Sequence, residues 1–222
     1  MIKRTLLLGD YNTAVHGQWT LSAWALSEPE PVTNWLNVPG RVKGPIDLST
    51  ALTDGLPVYG ARSLSATLES SEDDRATREA RISDMINKLH GQRVQVVLPD
   101  HPNRYAVARI AVARQYNDLA HCAVKVTGTC EPWLYNVAET EVELTATTAA
   151  KTTTLYNQGA MPVVPVLTVT GGTVLLKYGA DSLSMTPGTY EWPALLLTTG
   201  EHTITYSGSG VLAVTYREAV LR

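Results

Sequence analysis

A chain of 222 residues with 44% apolar and 18% charged residues can bury one large β-domain or two small ones, which excludes wholesale disorder. Its 18 Lys and Arg against 21 Asp and Glu give a net charge of −3, without the basic excess of a dedicated nucleic-acid binder. No apolar run is long enough for a transmembrane helix, and the three leucines after Thr5 are too few for a signal peptide. A soluble protein made in a cytoplasm is expected. Cys122 and Cys130 fit a pair of buried thiols in a reducing compartment better than a disulfide framework. Phe is absent beside ten Tyr and five Trp, and nothing in the sequence explains it.

In chain order, residues 1–60 are strand-like fragments cut by turns, with prolines at 29, 31, 39, 45 and 57. The Pro-rich stretch 28–45 cannot be helical, because each ring removes a donor and restricts its predecessor, so a long loop or edge arm is expected. One helix is expected over about 71–90. Ser71 is its expected cap, Glu72, Asp73 and Asp74 face the positive end of its dipole, and Lys88 and His90 face the negative end. Ile82, Met85, Ile86 and Leu89 form the apolar stripe, Asp74–Arg78 and Asp84–Lys88 are solvent-side i, i+4 pairs, and Gly91 is the stop.

Past Gly91 the period drops to two. Strands are expected at 93–98, 104–114 and 121–129, with a turn at 99–103 and an exit at Glu131-Pro132-Trp133. From 140 to 215 the chain is threonine-rich and poor in charge, with no helical period. Gly171-Gly172 and Ser207-Gly208-Ser209-Gly210 predict hairpins joining 166–170 to 173–177 and 202–206 to 211–216, with Ile204 and Val214 inward. Many short strands imply a small β-sandwich. The fold class is therefore mainly β with one helix, in two domains, 1–138 and 139–222.

Little in the chain suggests catalysis. Ser209 lies between glycines, but Ser207 breaks the nucleophile-elbow spacing. His101, His121, Cys122 and Cys130 are not spaced as metal ligands, and Glu69, Glu72, Asp73 and Asp74 crowd a helix start where the dipole explains them. No catalytic, cofactor-binding or metal residue is expected. Trp24 and Trp35, which flank or sit in the Pro-rich arm, are the aromatic candidates for protein contact.

The order of segments carries more than any single motif. It runs through Gly40-Arg41-Val42-Lys43-Gly44-Pro45-Ile46-Asp47, Tyr59-Gly60-Ala61-Arg62-Ser63-Leu64, the acidic-start helix ending Ile86-Asn87-Lys88-Leu89-His90-Gly91, and the exit Cys130-Glu131-Pro132-Trp133-Leu134-Tyr135. Asn157-Gln158-Gly159, Leu197-Thr198-Thr199-Gly200-Glu201-His202 and the closing Tyr216-Arg217 follow. This order resembles the distal tail protein family of long, non-contractile-tailed bacteriophages. The resemblance implies an N-terminal β-barrel or sandwich-like domain carrying the helix, and a small galectin-like or jelly-roll sandwich after it. It implies a non-enzymatic hexameric ring at the tail tip, assembled in the host cytoplasm. Its partners would be the tail tube protein, the end of the tape measure, and a tail-associated lysin, fibre or receptor-binding protein, with DNA as passing cargo. On that footing Trp24, Trp35, Arg41 and Asp47 are the expected interface residues. The alternative is a carbohydrate-binding module for host cell-wall saccharide, with Trp192 as its stacking residue. The departures are a short second domain and the missing Phe.

Overall fold

The computed structural model describes all residues except 1–4, 41, 71–73 and 119–120. The protein is mainly β, and two compact units divide it. One comprises residues 1–134 with 221–222, the other residues 135–220. No helix among the described residues is long and apolar enough to cross a membrane.

The first unit begins with β1 (Leu7–Leu8), β2 (Tyr11–Asn12), the short α1 (Thr13–His16), β3 (Thr20–Leu26), β4 (Trp35–Leu36), β5 (Ile46–Asp47) and β6 (Arg62–Ser70). It continues with α2 (Arg75–Leu89), β7 (Arg93–Val97), β8 (Arg104–Asn117) and most of β9 (Cys122–Asn136). One curled sheet runs in the order β2-β1-β7-β8-β9-β6-β3, so its two ends are unlike strands. α2 packs on β8 through Ile82, Met85 and Leu89, all fully buried against alternate strand residues such as Ile110 and Val112. Trp19 is also fully buried. β9 continues beyond the expected exit at Glu131-Pro132-Trp133. Its ladder with β6 ends at Arg62↔Cys130, so Pro132 removes no bond from that pair.

The cap of α2 is Asp74 rather than Ser71. Its carboxylate accepts from the N–H groups of Ala76 (3.2 Å) and Thr77 (2.9 Å) and from the Thr77 hydroxyl. These bonds, the Thr77 hydroxyl foremost, hold the Asp74 carboxyl below its ordinary range. Ser71, Glu72 and Asp73 lie outside the described residues. Asp84–Lys88 forms as expected at 2.9 Å. Arg78 does not lie on the solvent side. It sits one turn before Ile82 on the buried stripe, where its guanidinium donates to Asn117 Oδ1 (3.1 Å) and the Asp118 carbonyl (2.7 Å). Gly91 closes the helix with φ +80°, and the His90 ring bonds Val112 of β8.

The second unit holds β10 (Thr140–Thr145), β11 (Lys151–Asn157), β12 (Val166–Thr170), β13 (Val174–Tyr178), β14 (Asp181–Met185), β15 (Gly188–Glu191), β16 (Gly200–Gly208), β17 (Val211–Tyr216) and β18 (Ala219–Val220). Two four-stranded sheets, β10-β17-β12-β15 and β11-β16-β13-β14, enclose one core. The ladders join β10 to β17, β11 to β16, β12 to β15 and β13 to β14. A doubled ribbon rolled up on itself produces this nesting, and it defines a jelly roll.

Neither expected hairpin forms. β12 and β13 belong to opposite sheets, as do β16 and β17, so both glycine turns are arches across the sandwich. The inward residues Leu167, Val169, Val174 and Leu176 are buried, and Ile204 and Val214 likewise. Strand alternation is the same for a hairpin and an arch, and it therefore could not separate them. The arches stack instead. Ser209 N–H donates to the Thr173 carbonyl (3.0 Å), Ala146 N–H to Gly210 (2.8 Å) and Gly208 N–H to Thr147 (2.8 Å). A Cβ on Gly172 would lie 2.7 Å from the Ser209 carbonyl oxygen, and one on Gly210 2.7 Å from that of Thr170.

Candidate interface: the arm and the sheet ends

The Pro-rich stretch is neither helix nor shapeless loop. It is an antiparallel ribbon that prolongs the β3–β6 pair away from the sheet. Ser27 N–H donates to the Ser63 carbonyl (2.9 Å), Gly60 to Glu30 (2.8 Å), Val32 to Val58 (2.8 Å) and Leu48 to Asn34 (2.8 Å). β4 and β5 pair near the tip, Trp35 opposite Asp47 and Leu36 opposite Ile46. Prolines fit here because the ribbon alternates short paired stretches with unpaired ones. Tyr59 at the ribbon root meets Trp133 edge to face, with ring centroids 5.4 Å apart.

This arm displays apolar surface. Trp35 is 56% exposed, and Leu36, Val38, Val42 and Leu52 are exposed with it. Trp35 and Asp47 are directly opposed ladder residues, so their side chains share one face of the ribbon. The Ser49 hydroxyl and backbone N–H hold the Asp47 carboxyl below its ordinary range, and it stays charged there.

Among the described residues expected at an interface, the structure brings Trp35 and Asp47 together. Trp24 lies half-buried in β3, lining a small cavity of about 200 Å³ with Glu28, Arg62, Asp100 and His101. Arg41 lies outside the described residues. Trp192, the sugar-stacking candidate, packs partly buried against the jelly-roll core. No group of three or more His, Cys, Asp or Glu gathers in metal-binding geometry among the described residues.

The sequence did not reveal what roots the arm. The Arg62 side chain is 3% exposed, and its guanidinium donates to the carbonyls of Ser27 (2.6 Å), Leu221 (2.8 Å) and Pro132 (3.4 Å), with Glu28 at 3.9 Å. Burial lowers its pKa and the Glu28 charge partly restores it. Only its place at the first position of an alternating strand, where a charge faces inward, could have signalled it.

Nearby, burial pushes the Cys130 thiol from about 9 up to about 11, with Arg62 opposing. The folded chain thus holds a proton that the unfolded chain releases between those values. The stability this thiol contributes is complete below pH 9 and is lost as pH rises through 11, a change on the order of 2 kcal/mol. Urea titrations at pH 8 and 11 should show a steeper loss for the parent protein than for Cys130→Ala. Equal losses would remove the assignment.

At the opposite end of the sheet, β2 bounds an open pocket of about 440 Å³. Tyr11 and His16 stack in its wall (centroids 5.0 Å apart, 25° between planes), and the Lys88 Nζ lies 5.9 Å from the Tyr11 ring centre. Four separate segments supply the lining, which explains why no contiguous motif announced it.

With this geometry in place, the chain can be set beside known proteins. Its fold is that of a phage distal tail hub protein. The crystal structure of SPP1 Dit (gp 19.1), described as a paradigm of the hub adsorption apparatus in phages infecting Gram-positive bacteria, superposes with a TM-score of 0.64. The match covers 96% of this chain and 98% of that one at 15% identity. No protein-family model matches the sequence. No curated protein matches it either. The resemblance expected from segment order therefore holds at the level of fold.

Proposed function

We propose that this protein is a distal tail hub: a ring of six copies at the end of a tail tube, joining the tube to a tail-associated lysin, fibre or receptor-binding protein. The supporting observation is the correspondence of both units, over nearly their whole length, to the fold of a hub protein. DNA would cross the ring at ejection, and a chain of net charge −3 suits a conduit that must not hold phosphates.

A closed ring needs two unlike surfaces on each copy, because its contacts are head to tail. The first unit offers unlike sheet ends, one bearing the apolar arm and the other the β2 edge. Replacing residues 33–57 by a short turn, which removes the ribbon beyond the Val32–Val58 pair, should abolish the ring and leave a folded monomer. Light scattering with circular dichroism reads both. An intact ring without the arm would exclude it from assembly.

A further inference from the structure

One buried cation joins three segments that lie far apart in the chain. The Arg62 guanidinium binds the carbonyl of Ser27, where the arm begins, and the carbonyls of Pro132 and Leu221. Pro132 lies just before the chain leaves the first unit after Leu134, and Leu221 is the first residue on its return. We infer that Arg62 is a latch that makes the arm and the returning chain one cooperative element, so that disturbing either loosens the other. The consequence for function rests on the ring proposed above: an arm ordered by assembly would tighten the chain where it leaves and re-enters the first unit.

Burial makes the three bonds depend on one another. The Arg62 side chain is almost wholly enclosed, and Glu28, its carboxylate partner, stands 3.9 Å away. A buried charge so weakly countered relies on its hydrogen bonds, and losing one makes the charge costlier to keep in place, which weakens the others. The returning chain also has little else to hold it. Leu221 and Arg222 follow the end of β18 and belong to no strand. Side chains fix them instead: Arg62 on the Leu221 carbonyl (2.8 Å), Arg104 on the Arg222 carbonyl (2.9 Å), and Glu28 at 3.9 Å from Arg222 Nε. Arg62 and Glu28 both stand at the root of the arm. A second link joins the same two places, because Tyr59 of the arm root packs edge to face on Trp133, the residue before Leu134.

Hydrogen exchange of the full chain, read by mass spectrometry, tests the latch by disturbing the return and watching the arm. Val220→Pro strains β18 from outside the arm, since proline has no N–H for a ladder and restricts the preceding Ala219. The amides of Val32 and Gly60, which bond Val58 and Glu30 across the arm, should then exchange about tenfold faster. Arg104→Ala, which removes only the bond to Arg222, should shift them the same way by less. Arg62→Met should match the proline variant, and combining the two should speed the arm no further. An arm that keeps its rate in both Val220→Pro and Arg104→Ala would overturn the latch. So would an arm that speeds up only in step with the amides of α2, which report general unfolding. Light scattering on the same samples gives their mass, so a coupled arm in a monomer would leave the latch standing and remove the ring. An uncoupled arm in an intact ring would do the reverse.

Discussion

Asn157→Ala should destabilise the jelly-roll unit by about 3–5 kcal/mol, a loss large enough to unfold it under mild denaturant. The Asn157 side chain is fully buried and makes three hydrogen bonds. Its amide donates to the carbonyls of Met161 (2.9 Å) and Leu197 (2.9 Å), and its oxygen accepts from Gly159 N–H (2.8 Å). Truncation leaves the Met161 carbonyl and the Gly159 N–H without this partner and removes one of two donors from the Leu197 carbonyl, which keeps the Val163 N–H (3.0 Å). Asn157→Asp should be worse at neutral pH, because a carboxylate would then face the two carbonyls. It should recover in part at low pH, where the protonated acid can donate to one of them. Urea midpoints of the three proteins at pH 7 and 4 measure this. A cost under 1 kcal/mol for Asn157→Ala would show that the turn is held by other means, such as the Ala160 N–H bond to Ala219 (2.8 Å).

Arg62→Met should cost the first unit about 2–4 kcal/mol and loosen the arm at its root. Methionine fills much of the same volume and removes the expense of a buried charge, which favours the variant. Against that, the carbonyls of Ser27 and Leu221 lose their donor, and the second effect is larger because both bonds are short and charge-assisted. Arg62→Lys should not restore stability, since one ammonium cannot reach three carbonyls spread around a planar fork. Limited proteolysis should cut residues 28–60 faster in the variant. An unchanged cutting rate together with unchanged stability would show that the arm is rooted without Arg62.

How much of this was legible in the sequence differs from element to element, for physical reasons. α2 was visible because its stripe and its glycine stop are local, but the same stripe carried a buried arginine that charge alone placed in solvent. The jelly roll was visible as strands and not as connections. Leu167 and Leu176 face the core equally well across a hairpin or an arch, and only the stacking of Gly172 on Ser209 decides between them. The Pro-rich arm was set apart correctly by its prolines, yet its ribbon pairing is a long-range property of β3 and β6. Trp35 stood out as a large aromatic in a turn-rich segment, and Asp47 entered only through the family resemblance. Their sharing of one face follows from a register that the sequence does not print. Trp24 looked similar on the chain and proved to belong to the sheet. Arg62 and the Tyr11–His16–Lys88 pocket draw on partners tens of residues away, beyond the reach of any local pattern.

The hub proposal is tested most directly by the mass of the purified protein in solution, measured by light scattering across concentrations with negative-stain images of the same fractions. A species near 145 kDa, six copies of the 24.1 kDa chain, seen as rings with an open centre, is the expected result. A 24.1 kDa monomer at every concentration, unchanged by added tail tube protein, would contradict it.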